Sequence, residues 1–288
     1  MKAPAFDYAR PATLEEAFQL LQAHGDNARI LAGGQTLLAT LNMRLSEPAL
    51  LVDITGIPGL RGIALKGERL SIRALTTHTE IERSPLVATH APLLRMAAPH
   101  IAHRAIRNMG TLGGSLAYAD PAAEWPACAL ALDAHMVLAS SQGERRIAAA
   151  DFFTDVLTTA MQPGEILVAC EIAACGKGWV YGFDELARRH GDYAIAGLAL
   201  ALKLEGRQVA EARIALLGVA GTPMRAHAAE ASLAGKPLDH DSIEAAASAL
   251  AGELDGDHAP MGDLTNSPAT KRHLATVLLR RLLARAIA

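Results

Sequence analysis

The sequence predicts an α+β fold: a small α/β unit first, then strands and helices mixed, then a sheet carried on helices. Three observations point to it. Helix and strand patterns alternate over the first 57 residues or so. Short apolar runs at hairpin spacing fill 136–172. Two long apolar strands then surround "EGRQ" and lead into an Ala-rich helical tail.

Each element has a local cause. Thr13 and Glu16 form a capping box ahead of "LEEAFQLLQAH", and Gly25 supplies the stop. "ARILAGG" is a short buried strand ending in a double glycine, "QTLLATLNMRL" is helical from Gln35, and "ALLVDIT" is a second strand. "RLSIRAL" then reads as strand, and Thr77 to His103 as helix interrupted by Pro85, Pro92 and Pro99. "MVLAS", "RRIAAADFF" and "EILVACEI" are strands, with a turn at "SQGE". "CGKG" at 175–178 is a linker, which divides the chain into 1–176 (parts of about 1–57 and 58–176) and 177–288. "YAIAGLALALKLEGRQVAEARIALLGVA" is a hairpin, and Ser267 followed by Pro268 starts the final helix.

Composition excludes several functions. A net charge of −3 with 20% charged residues lacks the basic excess of a nucleic-acid binder. "YAIAGLALAL" is about half of the roughly 20 residues a membrane helix needs, so no span is expected. "MKAPAFDYARP" has no apolar core and is not read as a signal peptide. Three cysteines without CxxC fit a reducing cytoplasm and cannot supply the four ligands of an iron–sulfur cluster.

The chemistry lies in two glycine stretches. "LAGGQTLL" (31–38) and "RNMGTLGGSLAYADPAAEW" (107–125) each place Gly-Gly beside hydroxyls: Thr36 in the first, Thr111 and Ser115 in the second. Neither has a Lys or Arg between glycines and hydroxyl, as a site for a terminal phosphate usually does. Bare backbone N–H groups suit a diphosphate inside a longer ligand, and a helix start at Gln35 would add its positive end. Asp120 and Glu124 are acceptors that suit sugar hydroxyls. The ligand expected is a dinucleotide. Singly, either loop is more often a tight turn. A Rossmann site lacks its G-x-G-x-x-G spacing, although Asp53 ends a strand 20 residues past Gly33.

"LAGGQTLLATLNMRL" and "IRNMGTLGGSLAYADPAAEWPACALAL" resemble the FAD-binding medium subunit of the molybdenum hydroxylases, over essentially the whole chain. The family includes carbon monoxide dehydrogenase, quinoline oxidoreductase and the flavin portion of xanthine dehydrogenase. The resemblance implies a vanillyl-alcohol-oxidase-like (PCMH-type) FAD-binding domain of two α/β subdomains, plus a C-terminal antiparallel sheet with helices. It implies that Ala32, Gly33, Gly34, Gln35 and Thr36 hold the FAD diphosphate, joined by Thr111, Gly113, Gly114 and Ser115. By the same resemblance Ala102 lines the cofactor, Glu124 takes a sugar or ribityl hydroxyl, Leu167 packs near the flavin, and Tyr193 stands over the isoalloxazine.

The function so implied is electron transfer. A large subunit with the molybdenum cofactor hydroxylates the substrate, and a small subunit carries two [2Fe–2S] clusters. This chain passes the electrons through FAD to an external acceptor, in a heterotrimer commonly doubled. Thr36 stands where Ser is usual, Met109 where Arg is frequent, and Asp184 where some members place a Lys near the flavin. Two rivals stay open: a self-sufficient FAD oxidoreductase of the vanillyl-alcohol-oxidase superfamily, and a scaffold subunit without cofactor. His100 and His103 read as a solvated or hydrogen-bonded pair rather than metal ligands. Tyr193 is also compatible with a core aromatic, and the Arg pairs at 145, 188 and 280 with surface charge. Neither the substrate nor the acceptor is legible.

Overall fold

Thr13 turns the chain into its first helix, Leu14–His24, by accepting the Glu16 N–H at 3.2 Å. The Glu16 carboxylate takes the Ala12 N–H at 2.7 Å, one residue short of the reciprocal capping bond. In this computed structural model, which describes residues 2–256 and 259–287, the helix lays Ala17 and Phe18 on a three-stranded parallel sheet. Leu50–Asp53 is its central strand, flanked by Asp7–Ala9 and Ala28–Leu31. All four central positions are buried, as a covered parallel strand requires.

The expected helix from Gln35 is shorter, Leu37–Asn42. Its end has a defined cause. Leu45 N donates to Thr40 O and Arg44 N to Leu41 O, with Arg44 at φ 57 in the left-handed position of a Schellman motif. Gly34 stays outside the right-handed helix at φ 71, while its carbonyl accepts the Leu38 N–H at 3.0 Å.

The middle of the chain forms a five-stranded antiparallel sheet in the order Ile63–Lys66, Arg69–Arg73, Ile166–Ala173, His135–Ser140, Gly143–Ala148. Between its second strand and His135 the chain is helical. Pro85 and Pro92 each occupy the first position of a new helix (Pro85–His90, Pro92–Ala97), where their missing N–H is harmless. The single strand expected over "RRIAAADFF" is corrected. The strand stops at Ala148, and Ala149–Phe152 makes a helical turn that buries Phe152.

Beyond residue 178 a four-stranded antiparallel sheet runs Trp179–Leu186, Ala196–Glu205, Gln208–Leu217, Met224–Arg225. Leu198, Leu200 and Leu202 face the helical tail, which includes Leu278, Leu279 and Leu282 of the helix Pro268–Ile287. Phe183, Ala199, Ala215 and Leu217 instead share a core with Leu93, Leu94, Ala127 and Cys128 of the middle helices. Both faces are covered, so the long strands read as continuous apolar runs. The layers are sheet, helices, sheet, helices. Among the described residues, no helix is long and apolar enough to cross a membrane.

Candidate cofactor-binding site

The strand Ala28–Leu31 delivers the chain into the first glycine loop. Gly33 lies against the second loop: a Cβ there would fall 2.2 Å from Met109 O and 2.9 Å from Gly110 Cα. Gly34 needs its left-handed φ. Among the described residues, the N–H groups of Gly33, Gly34, Gln35 and Thr36 donate to no protein acceptor. The Gln35 side-chain amide, unlike its backbone N–H, is tied back, donating from Nε2 to Gly33 O at 3.0 Å. Thr36 precedes the short helix and forms no side-chain cap, which leaves its hydroxyl free.

The second loop is built differently. Thr111 caps the helix Leu112–Tyr118 by accepting Gly114 N–H at 3.1 Å. Leu112 N–H donates to Thr76 O, Gly113 N–H to Ala74 O and Ser115 N–H to Thr111 O. A Cβ on Gly113 would strike Ala74 Cβ at 2.5 Å. The expectation of bare amides therefore holds for the first loop and fails for the second, whose N–H groups from Leu112 to Ser115 are satisfied within the protein. Its glycines serve close packing, and it offers hydroxyls from Thr111 and Ser115.

All thirteen residues expected at a cofactor line one cleft of about 1370 Å³. Ala102 enters it at φ 40, strained for a residue with a Cβ. Arg107 fastens that bend, its Nη1 donating to Ile101 O (3.0 Å) and Ala102 O (3.2 Å). Gly191 (φ 88) packs so closely on His103 that its Cβ would lie 2.7 Å from the ring. This contact brings Tyr193 to the rim. Tyr193 is 68% exposed, which corrects its reading as a core aromatic. Leu167 reaches the cleft from the five-stranded sheet.

Glu124 is the first residue of the helix Glu124–Ala131. Burial, with the charges of Glu185 and Asp120, lifts its carboxyl to about 8. At neutral pH it keeps a proton and can both donate to and accept from a hydroxyl. Asp120 is also raised, by burial. Sequence reasoning left out His78, His103, Tyr118 and Asp192, which also form the wall.

Met109 and Asp184 both lie outside the cleft wall. The Met109 side chain is 58% exposed, and its carbonyl is what meets Gly33. Asp184 pairs with Arg285 at 3.1 Å. His100 faces Glu185 at 3.7 Å and stacks edge-on against Phe183. Among the described residues, no three His, Cys, Asp or Glu side chains are grouped to hold a metal ion. Arg145, Arg146 and Arg280 pair with Glu165, Glu171 and Glu244.

The donor set fits FAD: free amides and hydroxyls for a diphosphate, acidic side chains for sugar hydroxyls, and apolar walls for a flat ring. Comparison with known proteins agrees. Residues 4–174 match the FAD binding domain in molybdopterin dehydrogenase, and 181–286 the CO dehydrogenase flavoprotein C-terminal domain. The chain is 40% identical over 288 residues to the 6-hydroxypseudooxynicotine dehydrogenase complex subunit alpha of Paenarthrobacter nicotinovorans, covering 100% of this chain and 96% of that one. It is 39% identical to the nicotine 6-hydroxylase medium subunit of the same organism, covering 99% of each. Its structure superposes on carbon monoxide dehydrogenase from Hydrogenophaga pseudoflava with a TM-score of 0.96 at 37% identity, covering 100% of this chain and 99% of that one.

Proposed function

The chain belongs to the family of FAD-binding medium subunits of molybdenum hydroxylases, and on that premise we propose how its own residues hold the cofactor. The amides of Gly33, Gly34, Gln35 and Thr36 bind the diphosphate, with hydroxyl help from Thr36, Thr111 and Ser115. Gly113 and Gly114 let the second loop approach. Ala102 and Leu167 pack on the flavin end, Glu124 binds a sugar or ribityl hydroxyl, and Tyr193 covers the ring from the rim. The observation that carries this reading is the convergence of all thirteen on one cleft beside four unpaired amides.

The protein is the flavoprotein component of an oxidoreductase. Bound FAD supplies the junction between one-electron wiring and a two-electron acceptor; the chain binds it, excludes water from it and sets its surroundings. We further propose that the partners are a large molybdenum-cofactor subunit and a small subunit with two [2Fe–2S] clusters, assembled as a dimer of heterotrimers in the cytoplasm. The FAD-binding part, of the vanillyl-alcohol-oxidase (PCMH) type, is assigned to 1–176 and the C-terminal domain to 177–288. The test of the cofactor assignment is direct. The purified protein should be yellow and release intact FAD on acid or heat treatment. A colourless preparation that takes up no FAD, or one that binds FMN alone, would overturn it.

A further inference from the structure

Behind the junction of the two glycine loops lies a residue that no motif singles out. His78 opens the helix His78–Arg83 and is 5% exposed. Its ring is pinned: Trp125 Nε1–H donates to Nδ1 at 2.9 Å, with the two rings tilted and 5.7 Å apart. Its backbone N–H donates to Gly110 O at 3.0 Å. An imidazole that accepts at Nδ1 carries its proton on Nε2.

That Nε2–H sits beside Gly110, where a Cβ would lie 2.6 Å from it, and His78 forms part of the cleft wall. Among the described residues it has no hydrogen-bond acceptor. His78 is thus a buried cleft-wall residue whose Nε2 lies at the Gly110 backbone, where the second loop meets the first. The Ile106 carbonyl beside Gly110 is taken by the Gly110 N–H at 2.7 Å, and the acidic side chains of the same helix are engaged as well. Glu80 is bound to Arg61 and the Thr77 cap, and Glu82 lies against Arg107.

A buried N–H on a cleft-wall residue, with no acceptor among the described residues, calls for one on a ligand. The same junction exposes the free amides of Gly33 and Gly34, since Gly33 touches Met109 and Gly110. Donors gathered without a protein acceptor suit an acceptor-only group such as phosphate. Burial and the Arg107 charge hold the ring neutral, its pKa near 4. Its contribution is thus one directed hydrogen bond. We propose that His78 is a cofactor-binding residue whose Nε2–H donates to the diphosphate of FAD. The proposal rests on the FAD reading above.

The test uses the assembled complex, stripped of flavin and titrated with FAD. His78→Phe removes the donor, whereas His78→Gln keeps an N–H near the place of Nε2. Loss of one hydrogen bond to a charged acceptor should weaken FAD binding by about ten- to a hundred-fold in the Phe variant, with most of the affinity restored by Gln. Infrared bands of the bound, isotope-labelled diphosphate should shift in the Phe variant, while the flavin midpoint potential stays at the wild-type value. Wild-type affinity in His78→Phe would overturn the proposal. So would unshifted phosphate bands with flavin lost equally from both variants, the sign of a merely structural role. A moved potential with unmoved phosphate bands would place the contact on the ring and also overturn it. A wild-type complex that binds no FAD would instead defeat the family reading itself, and this proposal with it.

Discussion

Gly33 stands against Met109, whose carbonyl oxygen lies 2.2 Å from where a Cβ on Gly33 would be. The first glycine loop is thereby docked on the second, and the cleft is defined by that contact. A methyl group at 33 must push the loops apart. Gly33→Ala should lose FAD and destabilise the protein by about 1–3 kcal/mol, the usual range for overpacking. Gly252→Ala is the control. It sits in the helix His240–Glu253, where a Cβ would meet no atom of the described residues within 4 Å, and should stabilise by roughly 0.5–1 kcal/mol with flavin content unchanged. Flavin-to-protein absorbance and melting temperature measure both; full flavin in Gly33→Ala would refute the docking argument.

Thr111→Val keeps the shape of the side chain and removes the acceptor for Gly114 N–H. The cost expected is about 1 kcal/mol, a fall of roughly 2–4 °C in melting temperature for a chain of this size. FAD affinity should fall with it, because the loop that carries Ser115 starts at this cap. A variant with wild-type melting and affinity would show the cap to be idle.

A half-buried carboxyl and a buried imidazole give the flavin-free protein opposite pH limits. Glu124 keeps its proton to about 8 when folded, against 4.5 as its ordinary value. Stability therefore falls as pH rises from about 4.5 to about 8, because the unfolded chain releases a proton that the folded one retains. His78 works the other way. It ionises near 4 when folded and at 6.5 ordinarily, so the stability of the neutral ring is complete above 6.5 and lost as pH falls toward 4. Melting temperatures across pH should show Glu124→Gln gaining on wild type progressively up to pH 8. A difference curve flat over that window would mean Glu124 is ionised in the folded protein.

The glycine loops were legible because a run of glycines and hydroxyls among helix formers is a local, compositional signal. What the second loop does with its amides was not, since the acceptors on Ala74 and Thr76 are more than thirty residues away in sequence. His78 was invisible for the same reason: its partner Trp125 is 47 residues along. The prolines at 85 and 92 looked like interruptions and are helix starts, a distinction that depends on the chain direction entering each turn. The exposure of Tyr193 follows from the Gly191 contact with His103, which joins segments nearly ninety residues apart. Short-range chemistry could be read; pairings across the fold could not.

Without its partners, this subunit should hold a working flavin and lack the hydroxylation chemistry. It has three cysteines, one short of the four ligands a [2Fe–2S] cluster takes. Cys128 and Cys170 are wholly buried, and burial pushes the Cys170 thiol up to about 12 and the Cys128 thiol well above its ordinary value, so neither offers a thiolate. On the proposed function, hydroxylation belongs to other chains and this one receives their electrons. The flavin subunit alone should be reducible by dithionite yet show no dehydrogenase activity toward aldehydes, N-heterocycles or carbon monoxide with a dye acceptor. Adding the large and small subunits should restore turnover of whichever substrate the complex takes. If the lone flavoprotein oxidises that substrate at the rate of the complex, it contains its own substrate site, and the self-sufficient oxidoreductase is the correct reading.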